Sequence, residues 1–402
     1  MNLEQLLHCV DTRSIVRYTV DLATASSDGL VCPPTYAPEK QGDPPYLPFR
    51  SAFVQGQQRQ IVVLDSPQSQ SNRVELALLQ ASRAGRIAYP DIEIRFPKGG
   101  GFQEPVYSVL QLSHRIYDAV LRACQLDGKL FFDTDIGKSV LAARLPLASA
   151  LFEHAPATLV LGAWDSYSKG GPMSAKIPRL LTSEIVGLDA VPASLSAAKM
   201  DTMDIRKGVA ELVEAQDALR RFKIKESGET PSRAGQEKGK RPSEFGLGNV
   251  VATDKARAAV VSGALQTSAL SCSGLRHISF PTADGEIDPH RDRAGRAVLA
   301  ALALFGLVAQ NESGYLLRSR CELLPRDDGK LELIGRTLQD IETATLHTES
   351  ASQLLADACR HAADLGLRFR EETLRLEADD RLQELVRRSR EAAARGVEAE
   401  VA

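Results

Sequence analysis

The 402-residue chain sets 49 Lys and Arg against 52 Asp and Glu, a net charge of −3, with 43% hydrophobic and 25% charged residues. This is the balance of a globular protein with material for one large core or two ordinary ones. It excludes a chain whose whole surface coats nucleic acid, and aromatics at 5% exclude an extended base-stacking platform. The charge is uneven: residues 322–402 hold 12 Lys and Arg against 18 Asp and Glu, while residues 1–321 hold 37 against 34. Basic character is therefore local.

The first residues predict a short helix leading into the strand IVRYTVDLA. Their acidic start and short apolar stretch are unlike a signal peptide. Residues 32–50 contain six prolines, which rules out a regular helix or central strand and predicts a long irregular excursion. The strand IVVLD follows and ends at Asp65. Next comes SPQSQSNR, where seven of eight side chains donate or accept hydrogen bonds and none is acid, Cys or His. Such a segment is a poor catalyst and a good binder. VELALLQAS then predicts a helix with Glu75 in its first turn. YPDIEIRF reads as a strand ending in the glycine loop KGGGF, and residues 108–124 as a helix. A second long helix is predicted from Ile136 to Phe152, bent at Pro146, followed by a buried strand TLVLGAW, a polar loop DSYSKGGPMSAK and the strand-like RLLTSEIVGLDAV.

Residues 199–250 change character, and from Arg220 to Arg241 there are eight basic residues against three acidic ones. Low apolar content with Gly, Ser, Lys and Pro predicts a flexible basic insertion. Beyond it lie an apolar helix over 297–309, the strand-like YLLRSRCELLP and a charged tail of about fifty residues read as helical. The 13-residue apolar run from Ala297 is short of the roughly 20 needed to span a bilayer. Six scattered cysteines without a C-x-x-C pair fit reduced, buried thiols, so a cytoplasmic protein is expected. The alternation of strands and helices gives an α/β or α+β class.

The chemical motifs fail one by one. DIGKS at 135–139 lacks the first glycine of a phosphate loop, because Phe132 occupies that position. No G-x-S-x-G elbow occurs, and the seven histidines form neither H-E-x-x-H nor an i, i+4 pair, so no metal or other cofactor is expected. What remains are polar and basic clusters beside strands: SPQSQSNR, SHR at 113–115, SKGGPMSAKIPR at 168–179, the insertion, and LRSR at 317–320. Their groups are those that contact phosphate and ribose oxygens.

The blocks LDSPQSQSNRVE, SHRIYDA with DGKLFFDTDIGK, ALFEHAPATLVLGAWDSYSKGGPMSAKIPRLLTSEIVG, RPSEFGLGNV and LRSRCELLP, in this order, resemble the backbone subunit of the type I-G (formerly I-U) CRISPR Cascade complex, the "Cas seven" class of the RAMP superfamily. The resemblance covers most of residues 10–330. It implies an α+β fold, a modified RNA-recognition-motif (ferredoxin-like) palm with finger and thumb insertions over residues 1–340, followed by an acidic helical tail over 341–402. It implies a non-enzymatic protein that binds CRISPR RNA, stacks head to tail with copies of itself and presents the guide to target DNA. Further implied partners are the large subunit, a guide-processing and cap subunit and the recruited helicase-nuclease, with no membrane. The aromatic signature of a standard RNA-recognition motif is absent. On this reading Arg73, Lys176, Arg179, Arg318 and Arg320 contact phosphate, with Arg115, Lys138 and Lys169 as further basic candidates. Gln68, Gln70, Asn72 and His114 bond sugar or phosphate, and Trp164 is expected in the core. The rivals are a guide-dependent ribonuclease using Asp65 or Asp133, and a metabolic α/β enzyme with an unrecognised pocket.

Overall fold

The computed structural model describes residues 1–38, 45–96, 106–165, 176–195 and 256–394, with short stretches at 202–203, 205, 210–214, 222–224, 241–245 and 247. Lys169, the KGGGF loop and most of the basic insertion lie outside the described residues. The chain divides into two units, one of Met1–Pro192 with Ala258–Asp379 and one of Ala193–Arg257 with Asp380–Ala402.

The first unit is built on a nine-stranded sheet. Its elements in chain order are α1 (Leu3–Thr12), β1 (Ile15–Thr24), β2 (Phe49–Val54), β3 (Gln57–Asp65), α2 (Pro67–Arg83), β4 (Leu181–Leu188), β5 (Gly263–Ser271), α3 (Pro289–Glu312), β6 (Tyr315–Arg318), β7 (Cys321–Pro325), β8 (Lys330–Ile334), β9 (Ile341–Ala344) and α4 (Thr348–Asp364). The order across the sheet is β6-β7-β1-β5-β4-β3-β2, with β8 also on β1 and β9 on β8. Without the β2–β3 hairpin at one edge, β1-α2-β4-β5-α3-β7/β8 is a split β-α-β of ferredoxin-like order with antiparallel neighbours. The fold is thus α+β.

Strand alternation sorts the two faces of this sheet. On β1, Val16, Tyr18, Val20 and Leu22 are buried, and they stand opposite Leu270, Ser268, Gln266 and Ala264 of β5. Helices α2 and α3 cover that face. Their close approach depends on Gly306, where an added Cβ would lie 2.7 Å from Val74 Cγ1. A mid-helix glycine costs about 0.5–1 kcal/mol relative to Ala, and here it makes room for a neighbouring side chain. Helix α3 is long and apolar enough to cross a membrane, yet 89% of its apolar window is buried within the fold, as expected of a core helix. A second sheet of five strands runs Val106–Ser108, Ile92–Arg95, Leu374–Ala378, Cys124–Leu126, Lys129–Leu130.

Several elements depart from the sequence reading. SPQSQSNR is helix almost throughout: Ser66 caps α2 through a bond from the Ser69 amide, and Pro67 opens the helix. Residues 108–124 form three short 3-10 turns with short strands at either end, in place of one helix. The long helix expected from Ile136 breaks into Asp135–Ala142 and Ser149–His154, and TLVL lies in the helix Pro156–Leu161. The tail is not all helical: β9 and Leu374–Ala378 are strands, α4 buries Leu354, Leu355 and Ala358, and residues through Asp379 join the first unit. In the second unit Leu212–Glu214 pairs with Phe222–Ile224, and Phe222 meets Phe245 at 5.8 Å. The helix Asp380–Ala394 carries ion pairs from Arg387 and Arg388 to Glu384.

Gly306→Leu is expected to push α2 away from α3 and to destabilise the protein by about 1–3 kcal/mol. Urea unfolding of the variant against the parent measures this.

Candidate functional site

Helix α2 positions the site, because its two sides hold different groups. Gln70, Ser71, Val74, Glu75, Ala77, Leu78 and Ala81 face inward, and Gln68 and Asn72 face solvent. Gln70 is 0% exposed. Its Nε2 donates to Asp65 Oδ2 at 2.6 Å, and its Oε1 accepts from Ser183 Oγ at 2.8 Å, Gln310 Nε2 at 2.9 Å and Gln266 Nε2 at 3.1 Å. The Tyr315 hydroxyl donates to Gln266 Oε1 at 2.8 Å, and Ser268 donates to Ser183 at 2.8 Å. This polar knot ties β3, α2, β4, β5, α3 and β6 together. Gln70 therefore cements the fold and, with its side chain sealed, offers nothing to a ligand.

Asp65 is the outer end of the knot. Its carboxylate is 0% exposed and accepts from Arg73 Nε at 2.9 Å, while Arg318 Nη2 lies 3.5 Å from its other oxygen. Arg73 Nη2 also donates to the Leu317 carbonyl at 2.9 Å, and Arg318 Nη1 to the Cys32 carbonyl at 3.4 Å. Two guanidiniums, each about 30% exposed, share one buried carboxylate. The group carries a net positive charge held in a fixed orientation, which suits phosphate. Arg320 is exposed on the adjoining β6–β7 turn, in left-handed backbone at φ 57°.

A second arginine pair lies on the other side of α2. Arg115, itself at φ 54°, holds Glu75 with two bonds of 2.6 and 3.0 Å and donates to the Gly162 carbonyl at 2.7 Å. Both residues are buried, so Arg115 is primarily a structural partner of Glu75. Burial pushes the Glu75 carboxyl above its ordinary range, and Arg115 opposes the shift. Arg179 is half-buried beside them and donates to the Leu161 carbonyl at 3.2 Å; burial and Arg115 both lower its pKa. The backbone here is tight: at Gly162, φ 79°, a Cβ would fall 2.9 Å from the Arg179 nitrogen.

Lys176 is exposed and pairs across strands with Trp164. Trp164 is 56% exposed, which corrects its expected place in the core. Next to it Asp165 is buried and accepts from Arg122 at 2.8 Å, and Arg122 lies over the Phe132 ring at 5.1 Å. His114 is exposed before Arg115, its amide donating to Asp118, and Lys138 is exposed on Asp135–Ala142. The structure thus gathers Arg73 with Arg318, and Arg115 with Arg179. Sequence reasoning missed Asp65 and Glu75 as anchors, since each pairs with residues far along the chain. Of the two aspartates considered for catalysis, Asp65 is sealed and ion-paired and Asp133 is exposed. Among the described residues no group of three or more His, Cys, Asp or Glu could hold a metal.

The face of the main sheet opposite α2 and α3 has a trough of about 690 Å³. Arg17, Arg50 and Lys330 line it together with Asp21, Glu184, Asp327 and Glu332, and Arg50–Glu184 and Arg17–Glu332 are ion pairs at 2.6 Å. With carboxylates outnumbering cations, it is a poorer seat for a polyanion than the arginine pairs beside α2.

Residues 17–192 match the model of a family described as CRISPR-associated protein GSU0053. No curated protein matches the chain. Among solved structures it is similar to Csc2 of Thermofilum pendens, at 8% identity and a TM-score of 0.28, over 97% of this chain and 80% of that one.

Two substitutions test this architecture. Gln70→Leu strands the Ser183, Gln266 and Gln310 donors and is expected to cost about 3 kcal/mol or more, whereas Gln68→Ala on the exposed side stays within about 0.5 kcal/mol. Arg115→Met leaves Glu75 buried and unpaired, a loss of about 3–5 kcal/mol at pH 8. With its pKa raised further, Glu75 takes up a proton on folding above its ordinary pKa of 4.5, so the deficit shrinks as pH falls toward that value. Urea melts at pH 5 and pH 8 measure both effects.

Proposed function

We propose that this chain is the CRISPR RNA-binding backbone subunit of a type I Cascade complex, of subtype I-G, stacking head to tail along the guide and leaving base edges free to pair with target DNA. The observation that carries the reading is the match of residues 17–192 to a CRISPR-associated family model, a span that includes Asp65, Arg73, Arg115, Lys176 and Arg179. The site chemistry supports it. Guanidiniums oriented by buried carboxylates can grip phosphates without reading bases, and in guide-directed recognition sequence is read by base pairing. Arg73, Arg318 and Arg320 form one phosphate-binding group and Arg179 with Lys176 another, with Gln68, Asn72, His114 and Lys138 as exposed polar or basic neighbours. Trp164 stands beside Lys176 as a surface aromatic. A mild net charge lets copies of the chain approach one another, and a non-closing head-to-tail contact produces a filament.

The test is purification of the chain coexpressed with a transcribed CRISPR array, with extraction of any bound RNA. A filament carrying guide-length RNA is expected, and a nucleic-acid-free monomer overturns the reading. Lys176→Ala combined with Arg320→Ala, both at exposed positions, is expected to weaken binding equally for all guide sequences and to lower the salt slope by about 1–2.

A further inference from the structure

Cys9 and Cys272 stand 263 positions apart in sequence, yet their sulfurs meet at 3.9 Å in the interior. Cys9 is on the buried face of α1 with Leu6 and Val10; Cys272 follows β5 directly. Both attachments are braced. The Cys272 and Ser273 amides donate to the Ser14 carbonyl at 3.0 and 3.2 Å. Arg276 Nη1 donates to the Val10 and Arg13 carbonyls at 3.0 and 2.8 Å, pinning the end of α1 to the same turn. Cys9 also lines a surface cavity of about 310 Å³ with Asn2, Gln5, His8, Arg13 and Glu342. The two sulfurs are therefore in van der Waals contact and held from both sides, and a small solute in the cavity meets the pair at Cys9, since Cys272 is fully buried and does not line it.

We infer that Cys9 and Cys272 form an oxidisable dithiol, a modification site at which a small peroxide closes a disulfide between α1 and the end of β5. The Cys9 sulfur, on the cavity side, attacks a peroxide oxygen, the O–O bond breaks, and one oxygen leaves as water with the proton from Cys9, so that Cys9 is left as a sulfenic acid. The contact with Cys9 and the charge of Arg276 favour the thiolate of Cys272 against its burial. The Cys272 sulfur then attacks the Cys9 sulfur, the S–O bond breaks, and the hydroxyl leaves as water with the proton from Cys272. Two thiols are oxidised by two electrons and the peroxide is reduced to two waters. Because the bond closes a very long loop and fastens α1 at a point already braced, the oxidised form should resist unfolding more than the reduced form.

The experiment treats the native full-length chain with hydrogen peroxide, alkylates remaining thiols, and maps peptides without reduction. Expected is a linked pair of peptides containing Cys9 and Cys272, lighter by two hydrogens, reversed by dithiothreitol and accompanied by a higher melting temperature. Cys272→Ala is expected to leave Cys9 as a sulfenic acid trapped by a dimedone probe, and Cys9→Ser to leave Cys272 alkylatable after denaturation. Both thiols remaining alkylatable after treatment and denaturation, independent over-oxidation of each, or links formed only among Cys32, Cys124, Cys321 and Cys359 would overturn the assignment.

Discussion

One buried amide organises the first unit of this protein. Gln70 has no exposed surface and uses both ends of its side chain, and its partners come from β3, β4, β5 and α3. In a low-dielectric interior each of these hydrogen bonds is stronger than in water, and each unpaired member would be costly. The network therefore fixes register as well as stability. Sliding α2 by one residue would withdraw the amide from Ser183, Gln266 and Gln310 together.

The same logic explains how the chain displays positive charge. A guanidinium on a free side chain loses rotamer entropy when it grips a ligand, and its orientation is unconstrained beforehand. Here Asp65 and Glu75, both buried, hold guanidinium groups at the end of β3 and along α2. Arg115 is buried, with its guanidinium divided between Glu75 and the Gly162 carbonyl. Arg73 and Arg318 are held by Asp65 and still retain some exposure. The internal polar network and the arginines at its margin are one construction, since Asp65 Oδ2 accepts from Gln70 and Arg73 alike.

The main sheet contributes in a different way. Its face under α2 and α3 carries much of the core, and its other face sets cations and carboxylates around a buried apolar cluster of Val54, Ile61, Val186, Leu188 and Leu265. Paired charges there cancel locally, whereas α2 and the β6–β7 turn leave arginines in excess. The proposed contacts to RNA therefore fall beside α2 and not on the opposite sheet face.

Much of the architecture was legible in the sequence. The strand-like IVRYTVDLA marked β1, the apolar run marked β3, a long apolar stretch marked α3, and the alternation of strands and helices narrowed the class to α/β or α+β, because each pattern is set by a local period of the backbone. SPQSQSNR was conspicuous as a polar segment, but nothing in its residues separates Gln68, which faces solvent, from Gln70, which is sealed: the two differ only in which side of α2 meets the sheet. The TLVL segment is as compatible with a strand as with a buried helix, and its length did not arbitrate. Residues 108–124 mimic a helical period but fold as 3-10 turns, with Arg115 in left-handed backbone and paired with Glu75 forty positions earlier. The tail looked wholly helical because α4 has a helical period and the strand Leu374–Ala378 finds its partner, Ile92–Arg95, nearly three hundred residues earlier. Local periodicity determined which segments are regular; the pairing of Gln70, Asp65, Glu75 and Cys9 with distant partners was decided only by tertiary packing, since such contacts leave no mark on neighbouring residues.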